Sequence, residues 1–500
     1  MTLRRILMIS AASALALSLG ACATVGPNFK TPAAPTQAGY AMAGDQTPAQ
    51  AQLGAALAAD WWTVFRSPEI DSVVKQAVAG NHSLASTRAS LDQARQAVAS
   101  QSGKASLDAS GQVAEDRVNL TSFGFSQFPL PDGSVLSLSN PTFSLYTFGL
   151  SGRYDLDLFG RHAREHEQLL AQAQAEELQT QVSYLTLTAQ VVGQAIDIAA
   201  LRGQIAAAED IVASDRQNLD VANKAYRLGG GTRLDVATIQ TEMAGDEGQI
   251  IPLRQQLAVA RHALALLVGQ APADWTPPDF DLDKIAGPEV LPVTLPSDLV
   301  HARPDIQAAE ARLHAATARI GMTKADLYPS ISLTGNIAQS GLHPLDLFSY
   351  DATGFLVGPE VRLPLLNRGE LKAKERGAEA AARGAQEDYQ QTVLSAFVQV
   401  ADSLQALAND ELAITNAQQA LDAATDGLRL QRLRHEDGKT GLLPVLDSQR
   451  SYARARIALV RAKAQRLRDS AALLYAVGRP WQDAGVATTT TAQTPASTAG

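Results

Sequence analysis

His162 and His166 lie four residues apart, so one helix face would present two imidazoles, which is the beginning of a metal site. Arg164 and Glu165 between them do not make the His-Glu-x-x-His pattern of zinc hydrolases, and the pair reads as the solvated start of a helix. Gly229-Gly-Gly231 is a turn of the kind that can cradle phosphate, but it lacks the Lys-Ser or Lys-Thr that completes a P-loop. The eight histidines are otherwise scattered, and no set of nucleophile, base and acid emerges. The chain reads as a non-enzyme with no metal and no diffusible cofactor. With 42 basic and 51 acidic residues and a net charge of -9, nothing points to nucleic acid.

Cys22 is the only cysteine, which rules out an internal disulfide or a thiolate metal cluster. It follows a basic start (Arg4, Arg5), an apolar run from Ile6 to Leu19, and Leu19-Gly-Ala. That order describes a secretory signal over residues 1–21, too short for a good membrane-spanning helix. Leu19-Gly-Ala-Cys22 also resembles a bacterial lipobox, which implies a diacylglycerol and an N-acyl chain on Cys22 as the mature first residue. Ala23 stands where an aspartate would favour inner-membrane retention, so the expectation is sorting to the outer membrane.

Leu443, Asp447 and Arg450 form the third notable group, spaced i, i+4 and i+7 on one helix face. They belong to an internal repeat: Gly438 to Gly478 lies over Gly229 to Gly269 at a constant offset of about 209 residues without a gap. Leu234, Thr238 and Thr241 occupy the corresponding places, so the charges belong to the second copy alone. Tyr154-Asp-Leu-Asp-Leu-Phe-Gly-Arg161 and Val361-Arg-Leu-Pro-Leu-Leu-Asn-Arg368 precede the two copies as matching alternating runs.

The rest of the chain fits this duplication. Residues 22–59 carry Pro and Ala without period and read as a lipidated, extended tether. The first repeat, 60–269, has an amphipathic helix from Ser67 to Gly103, strands at Ala105–Val118 and Leu145–Phe159, and a helix from Arg161 to about Leu228. Roughly 65 residues of helix span about 100 Å. Leu178, Val182, Leu185, Ala189, Val192 and Ile196 mark one apolar stripe, and Leu187, Val191, Ile198, Leu201 and Ile205 a second. Gly229, Gly230 and Gly231 break this helix, and Thr232 or Asp235 caps the return helix to Val268. Residues 270–300 form a proline-rich connector. The second repeat, 301–482, has a helix from Arg303-Pro304-Asp305, strands near Ile331–Gly335 and at Phe355–Leu366, and a long helix from Gly369 to His435. A turn at Gly438–Gly441 and a return helix to Val477 complete it, and 483–500 reads as a disordered tail.

Four strands cannot close a membrane barrel, because the smallest single-chain barrels need about eight. An open edge in lipid leaves backbone groups unpaired at several kcal/mol each. The helices pose the same problem, since two stripes on each long helix call for more neighbours than one chain provides. An oligomer with closed walls of strands and helices answers both.

Leu19-Gly-Ala-Cys22, Val25-Gly-Pro-Asn-Phe29, Asp60-Trp-Trp62 with Phe65, Tyr154 to Arg161, Arg303-Pro-Asp-Ile306 with Ala309-Glu-Ala311, and Tyr328-Pro329 resemble the NodT-type, TolC/OprM-like outer-membrane efflux lipoproteins. The resemblance covers nearly the whole mature chain, although Tyr154 stands where the family often has tryptophan and Pro444 where some members have aspartate. It implies a mostly α protein with a membrane β-barrel: a homotrimer with a twelve-stranded barrel, four strands per chain, and a long periplasmic α-barrel. It implies the exit duct of a tripartite multidrug pump, lipid-anchored in the outer membrane and joined by a periplasmic adaptor to an inner-membrane RND-type transporter. Within it, Leu443, Asp447 and Arg450 match the residues lining the periplasmic constriction, with Asp and Arg of neighbouring chains expected to pair. The turns carrying Gly229, Gly230, Gly231 and Arg233, and Gly438, Lys439 and Gly441, are expected at the periplasmic tip, where the adaptor docks. A duct for type I protein secretion and a lipid-anchored periplasmic coiled-coil scaffold are the alternatives. The scaffold fits less well, since an adaptor needs one hairpin between compact β domains.

Overall fold

A computed structural model describes residues 24–478, apart from positions 34, 38, 43, 46, 49–50, 54–59, 102–104, 118–126 and 138–141. Cys22, the signal segment 1–21 and the tail 483–500 lie outside the described residues. In chain order the elements are β1 (Ala51–Leu53), α1 (Pro68–Gly80), α2 (His82–Ser100), β2 (Ala105–Arg117), β3 (Gln127–Pro129), β4 (Val135–Ser137), β5 (Thr142–Asp155), α3 (Arg161–Arg227) and α4 (Arg233–Val268). Then come β6 (Leu291–Val293), α5 (Pro296–Ala302), α6 (Pro304–Ala325), β7 (Ser330–Gly341), β8 (Thr353–Arg362), α7 (Arg368–Glu436) and α8 (Leu443–Ala476).

The chain forms two compact units, one of which holds residues 94–173 and 312–386 with the N-terminal stretch up to Lys30. Its centre is an antiparallel sheet of order β2-β5-β7-β8, with β2 and β8 at the edges. The connection from β5 to α3 explains the Tyr154-to-Arg161 motif. Asp157 adopts a left-handed φ of 48°, and its carboxylate accepts the His162 and Ala163 amides at 3.1 and 3.2 Å, satisfying donors at the start of α3. Gly160 has φ +73°, with Thr24 so close that a Cβ would overlap it, and Phe159 stacks on Tyr328 with ring centroids 4.6 Å apart.

Within this unit the first described part of the expected extended tether, residues 24–29, is pinned. The Val25 amide donates to Phe159 O at 3.2 Å, and the Arg164 side chain, only 4% exposed, donates to Asn28 Oδ1 at 2.6 Å and pairs with Glu167. Phe29 stacks on His314 at 4.4 Å. Gly26, at φ +97°, lies against Gly321, where a Cβ would come within 2.5 Å of the Gly321 Cα. The segment has no period because partners elsewhere in the chain hold it.

The second unit comprises Thr31–Gln93, Gln174–Ala311 and the chain from Glu387 onward. It too holds part of the supposed tether: Tyr40 Oη donates to Thr294 O at 2.7 Å, and β1 pairs in parallel with β6. Trp61, Trp62 and Phe65, on a short 3-10 turn, are buried with Ile70, Val73, Val74 and Ala77 of α1. The Trp61 Nε1 donates to Thr188 of α3 and Trp62 Nε1 to Asp71, so both indoles are satisfied. Most of both stripes of α3 is buried within the chain itself, from Leu178, Leu185 and Val192 to Leu187, Val191 and Ile198, with Val182, Ala189 and Leu201 half-buried. The expectation that one chain could not cover them fails, because α1 and the tryptophan turn add walls that a count of long helices omits. Leu394, Val398 and Leu412 of α7 do remain more than half exposed.

The expected helix from Ser67 to Gly103 is two helices, broken at Asn81 in extended backbone (φ -69°, ψ 120°). Asn81 Oδ1 accepts from Leu84 N at 2.9 Å and Nδ2 donates to Leu267 O at 2.9 Å, near the end of α4. Arg303 repeats this between α5 and α6: its backbone is extended (φ -76°, ψ 124°), and Nη1 donates to Ala476 O at 2.8 Å. Ala476 is the repeat equivalent of Leu267, so two unlike side chains do one job in the two copies.

Candidate functional site: a two-faced sheet and the hairpin turns

Register fixes what each face of the sheet carries, because side chains alternate with a period of two. Leu107 and Val113 of β2, Phe148 and Leu150 of β5, Leu333 and Ile337 of β7, and Phe355, Val357 and Val361 of β8 fall on one face. Phe355 is 81% exposed and the others are open to their surroundings too. The opposite face carries Ser106, Asp108, Ser151, Arg153, Ser332, Thr334, Asn336, Ser340, Glu360 and Arg362, with Leu145 and Leu356 as apolar exceptions. Arg153 bridges this polar face, donating to Asp155 Oδ1 at 3.0 Å and to Glu360 Oε2 at 3.2 Å. Such a sheet suits lipid on one side and water on the other. Phe355→Arg is expected to destabilise by about 2–4 kcal/mol near the bilayer midplane and less toward an interface. Thr334→Arg on the polar face should be tolerated. Detergent-resistant assembly on gels reads the difference, and equal damage from both would contradict the assigned faces.

The two turns are built differently. Gly229 is left-handed (φ +77°) and the Gly230 amide donates to Ala225 O at 2.9 Å, closing α3. Thr232 and Asp235 then act together as a reciprocal capping box on α4, where the sequence left one or the other. The hydrogen bonds from Thr232 hold the Asp235 carboxyl below its ordinary range. At the second turn Gly438 is left-handed (φ +70°) and Lys439 N donates to Arg434 O at 2.8 Å, while Pro444 opens α8. Leu228 and Leu234 flank the first turn at 87% and 74% exposure, a costly display in water unless something covers them.

Leu443 and Asp447 are exposed, but Arg450 turns inward, its side chain 18% exposed. Its Nη1 donates to Glu242 Oε1 of α4 at 3.0 Å. Nη2 lies 2.7 Å from Oε2, out of line for a hydrogen bond, and Nε lies 3.6 Å from Asp246 Oδ2. Asp447 Oδ1 is the most distant contact, at 3.7 Å. Within its own chain the Arg450 guanidinium is thus held mainly by Glu242, with Asp447 the most distant of its acidic neighbours. Asp215 of α3 completes the group, its carboxyl pushed up to about 6 by burial and then by Asp246. Asp410 of α7 is likewise pushed up to about 7 by burial and by Asp469. Glu242, Asp246 and Asp215 carried no signal in sequence, because their spacing relates to Arg450 only through the fold.

A strand quartet with an apolar face and open edges, together with two long helical hairpins, defines a channel component of a membrane. Residues 73–270 and 295–479 match the outer membrane efflux protein family, and the chain belongs to that family as an outer-membrane protein of the TolC-like fold. It is 29% identical over 494 residues to the pyoverdine export outer membrane protein OpmQ of Pseudomonas aeruginosa, covering 96% of this chain and 98% of that one. It is 28% identical to the probable efflux pump outer membrane protein TtgC of Pseudomonas putida, covering 94% of each. Among solved structures, the outer-membrane channel OprN is similar, with a TM-score of 0.78, 26% identity, and coverage of 92% of this chain and 100% of that chain.

Proposed function

We propose that this protein is the outer-membrane exit duct of a multidrug efflux pump, conducting small toxic compounds passively to the exterior. The observation that carries the reading is the sheet: one face mostly apolar, one mostly polar, and, among the described residues, an unpaired backbone edge on both β2 and β8. Unpaired edges in lipid cost several kcal/mol per group. Three copies of a four-stranded sheet supply twelve strands, an even number within the range that closes. The polar faces then line the pore and the apolar faces meet lipid. The names of TtgC and OpmQ, an efflux pump component and an export protein, support cargo of small molecules.

In this reading residues 22–59 carry the lipid on Cys22 and lash it to the fold, 60–269 and 301–482 are the two repeats, and 270–300 joins them. A periplasmic adaptor docks at the turns of Gly229–Gly231 with Arg233, and of Gly438 to Gly441 with Lys439, and links the duct to an inner-membrane transporter. Leu443, Asp447 and Arg450 stand at the constriction, with Asp447 facing the passage and Arg450 anchoring α8.

Native mass measurement in mild detergent tests assembly and anchor together. Three chains are expected, each beginning at Cys22 with its lipid. A folded monomer would refute the closed barrel, and an unmodified Cys22 would end the anchor. Photocrosslinkers at Arg233 and Lys439 should capture the adaptor, whereas capture only from positions near the strands would contradict docking at the turns. Deleting the gene should sensitise cells to several antibiotics, and unchanged susceptibility to all of them would remove the multidrug reading.

A further inference from the structure

Close to the turns, α3, α4 and α8 meet around four ionisable side chains. Asp215 of α3 is 3% exposed and Asp246 of α4 is 9% exposed. Glu242 of α4 and Arg450 of α8 complete the group: Arg450 Nη1 donates to Glu242 Oε1 at 3.0 Å, and Nη2 lies 2.7 Å from Oε2 as an ion-pair contact. Val212 of α3 packs with Ile250 of α4, which brings Asp215 and Asp246, one turn along each helix, to the same side of the junction, and among the described residues Oδ2 of each meets no donor. The other Asp246 oxygen accepts from Gln249 Nε2 at 3.1 Å.

Two carboxylates set against each other make no hydrogen bond, whereas a carboxyl and a carboxylate make one. The charges agree with this. Three carboxylates against one guanidinium leave two negative charges uncompensated in a mostly buried place, and one proton removes half of that excess. The remaining charges on these helices do not help. Arg216 of α3 is paired with Glu247 of α4 at 2.9 Å, and Asp447 of α8 adds another negative charge. Gln449, Ser214 and Asn218, which join α8 to α3, are uncharged.

We propose that Asp215 and Asp246 share one proton, and that this proton is the ligand that lets Arg450 hold the start of α8 against the first hairpin. With the proton in place the three helices close on one another. Without it, Asp215 and Asp246 repel, and Arg450 faces more negative charge than it can satisfy at once. Asp215 binds its proton more tightly folded than unfolded, up to about 6. Its contribution is therefore full in acid, below the unfolded value, and is lost as pH rises through about 6. The junction is tight near pH 5 and looser near pH 8. Its effect on conduction rests on the duct reading above, while the shared proton itself does not.

The test uses the full protein in detergent and in planar lipid bilayers. Infrared spectra titrated from about pH 5 to about pH 8 should show a protonated-carboxyl band lost with a midpoint near 6. That band should be absent in Asp215→Asn and in Asp246→Asn, and should survive in Asp410→Asn, whose own loss lies nearer 7. Asparagine keeps the shape of a protonated carboxyl, so the fold is retained. A spectrum in which no titrating band depends on Asp215 overturns the proposal. Conductance that rises with pH in the natural chain and stays low and flat in Asp215→Asn supports both the shared proton and its coupling to passage. A band that depends on Asp215 with flat conductance in both chains supports the shared proton and overturns the coupling.

Discussion

Arg450→Ala is expected to destabilise the hairpin ends by on the order of 3 kcal/mol, the lower part of the range for removing one partner of a buried ion pair. The lower part applies because the side chains of Arg450 and Glu242 keep 18% and 24% of their exposure. What remains after the substitution is the damaging part: Glu242, Asp246 and Asp215 lose the guanidinium that faces them. The start of α8 should swing free of α4, and single-channel conductance should rise. Asp447→Ala is the informative comparison. Its side chain is 78% exposed and 3.7 Å from Arg450, so its removal should cost only about 0–1 kcal/mol. Any increase in conductance from a double substitution should come mostly from Arg450. Equal effects of the two single substitutions on unfolding and on conductance would mean that the inward anchor is not what holds α8.

Arg303→Ala should be the most damaging single change in the second repeat, at about 3–5 kcal/mol. The side chain is 5% exposed and holds Asp305 with two bonds, at 3.0 and 2.6 Å. It also reaches Gln399 Oε1 of α7 at 3.0 Å and the Ala476 carbonyl at 2.8 Å. Alanine would leave the Asp305 carboxylate with the Ile306 amide alone, at 2.9 Å, and would take the guanidinium donor from that carbonyl. Lysine cannot replace the fork, because one ammonium cannot meet a carboxylate, an amide oxygen and a carbonyl in fixed directions. Asn81→Ala, at the same place in the first repeat, removes uncharged hydrogen bonds and should cost only about 1–3 kcal/mol. Denaturant unfolding in detergent, followed by helical circular dichroism, measures the contrast. Comparable losses at the two sites would show that the charge of Arg303 adds nothing to the shared capping role.

Much of the architecture was legible in the residues because its causes are local. Glycine at Gly229 and Gly438 stops a helix wherever it stands, since only glycine takes a left-handed turn without strain. Apolar spacing marks the long helices, and alternation marks β2, β5, β7 and β8, whatever they pack against. The offset of about 209 residues is a property of the string alone. What the tertiary structure decided is every contact made between distant stretches. Which side of the sheet is polar depends on four strands held in register, and β2 is more than two hundred residues from β7. The clamp on Val25 to Phe29 shows no period because Arg164, His314 and Gly321 hold it. Leu443, Asp447 and Arg450 could be grouped from the sequence because their spacing on one helix face is visible there. Glu242, Asp246 and Asp215 became neighbours of Arg450 only when the turns at Gly229 and Gly438 folded α4 and α8 back, and burial then made their charge the stronger claim on the guanidinium.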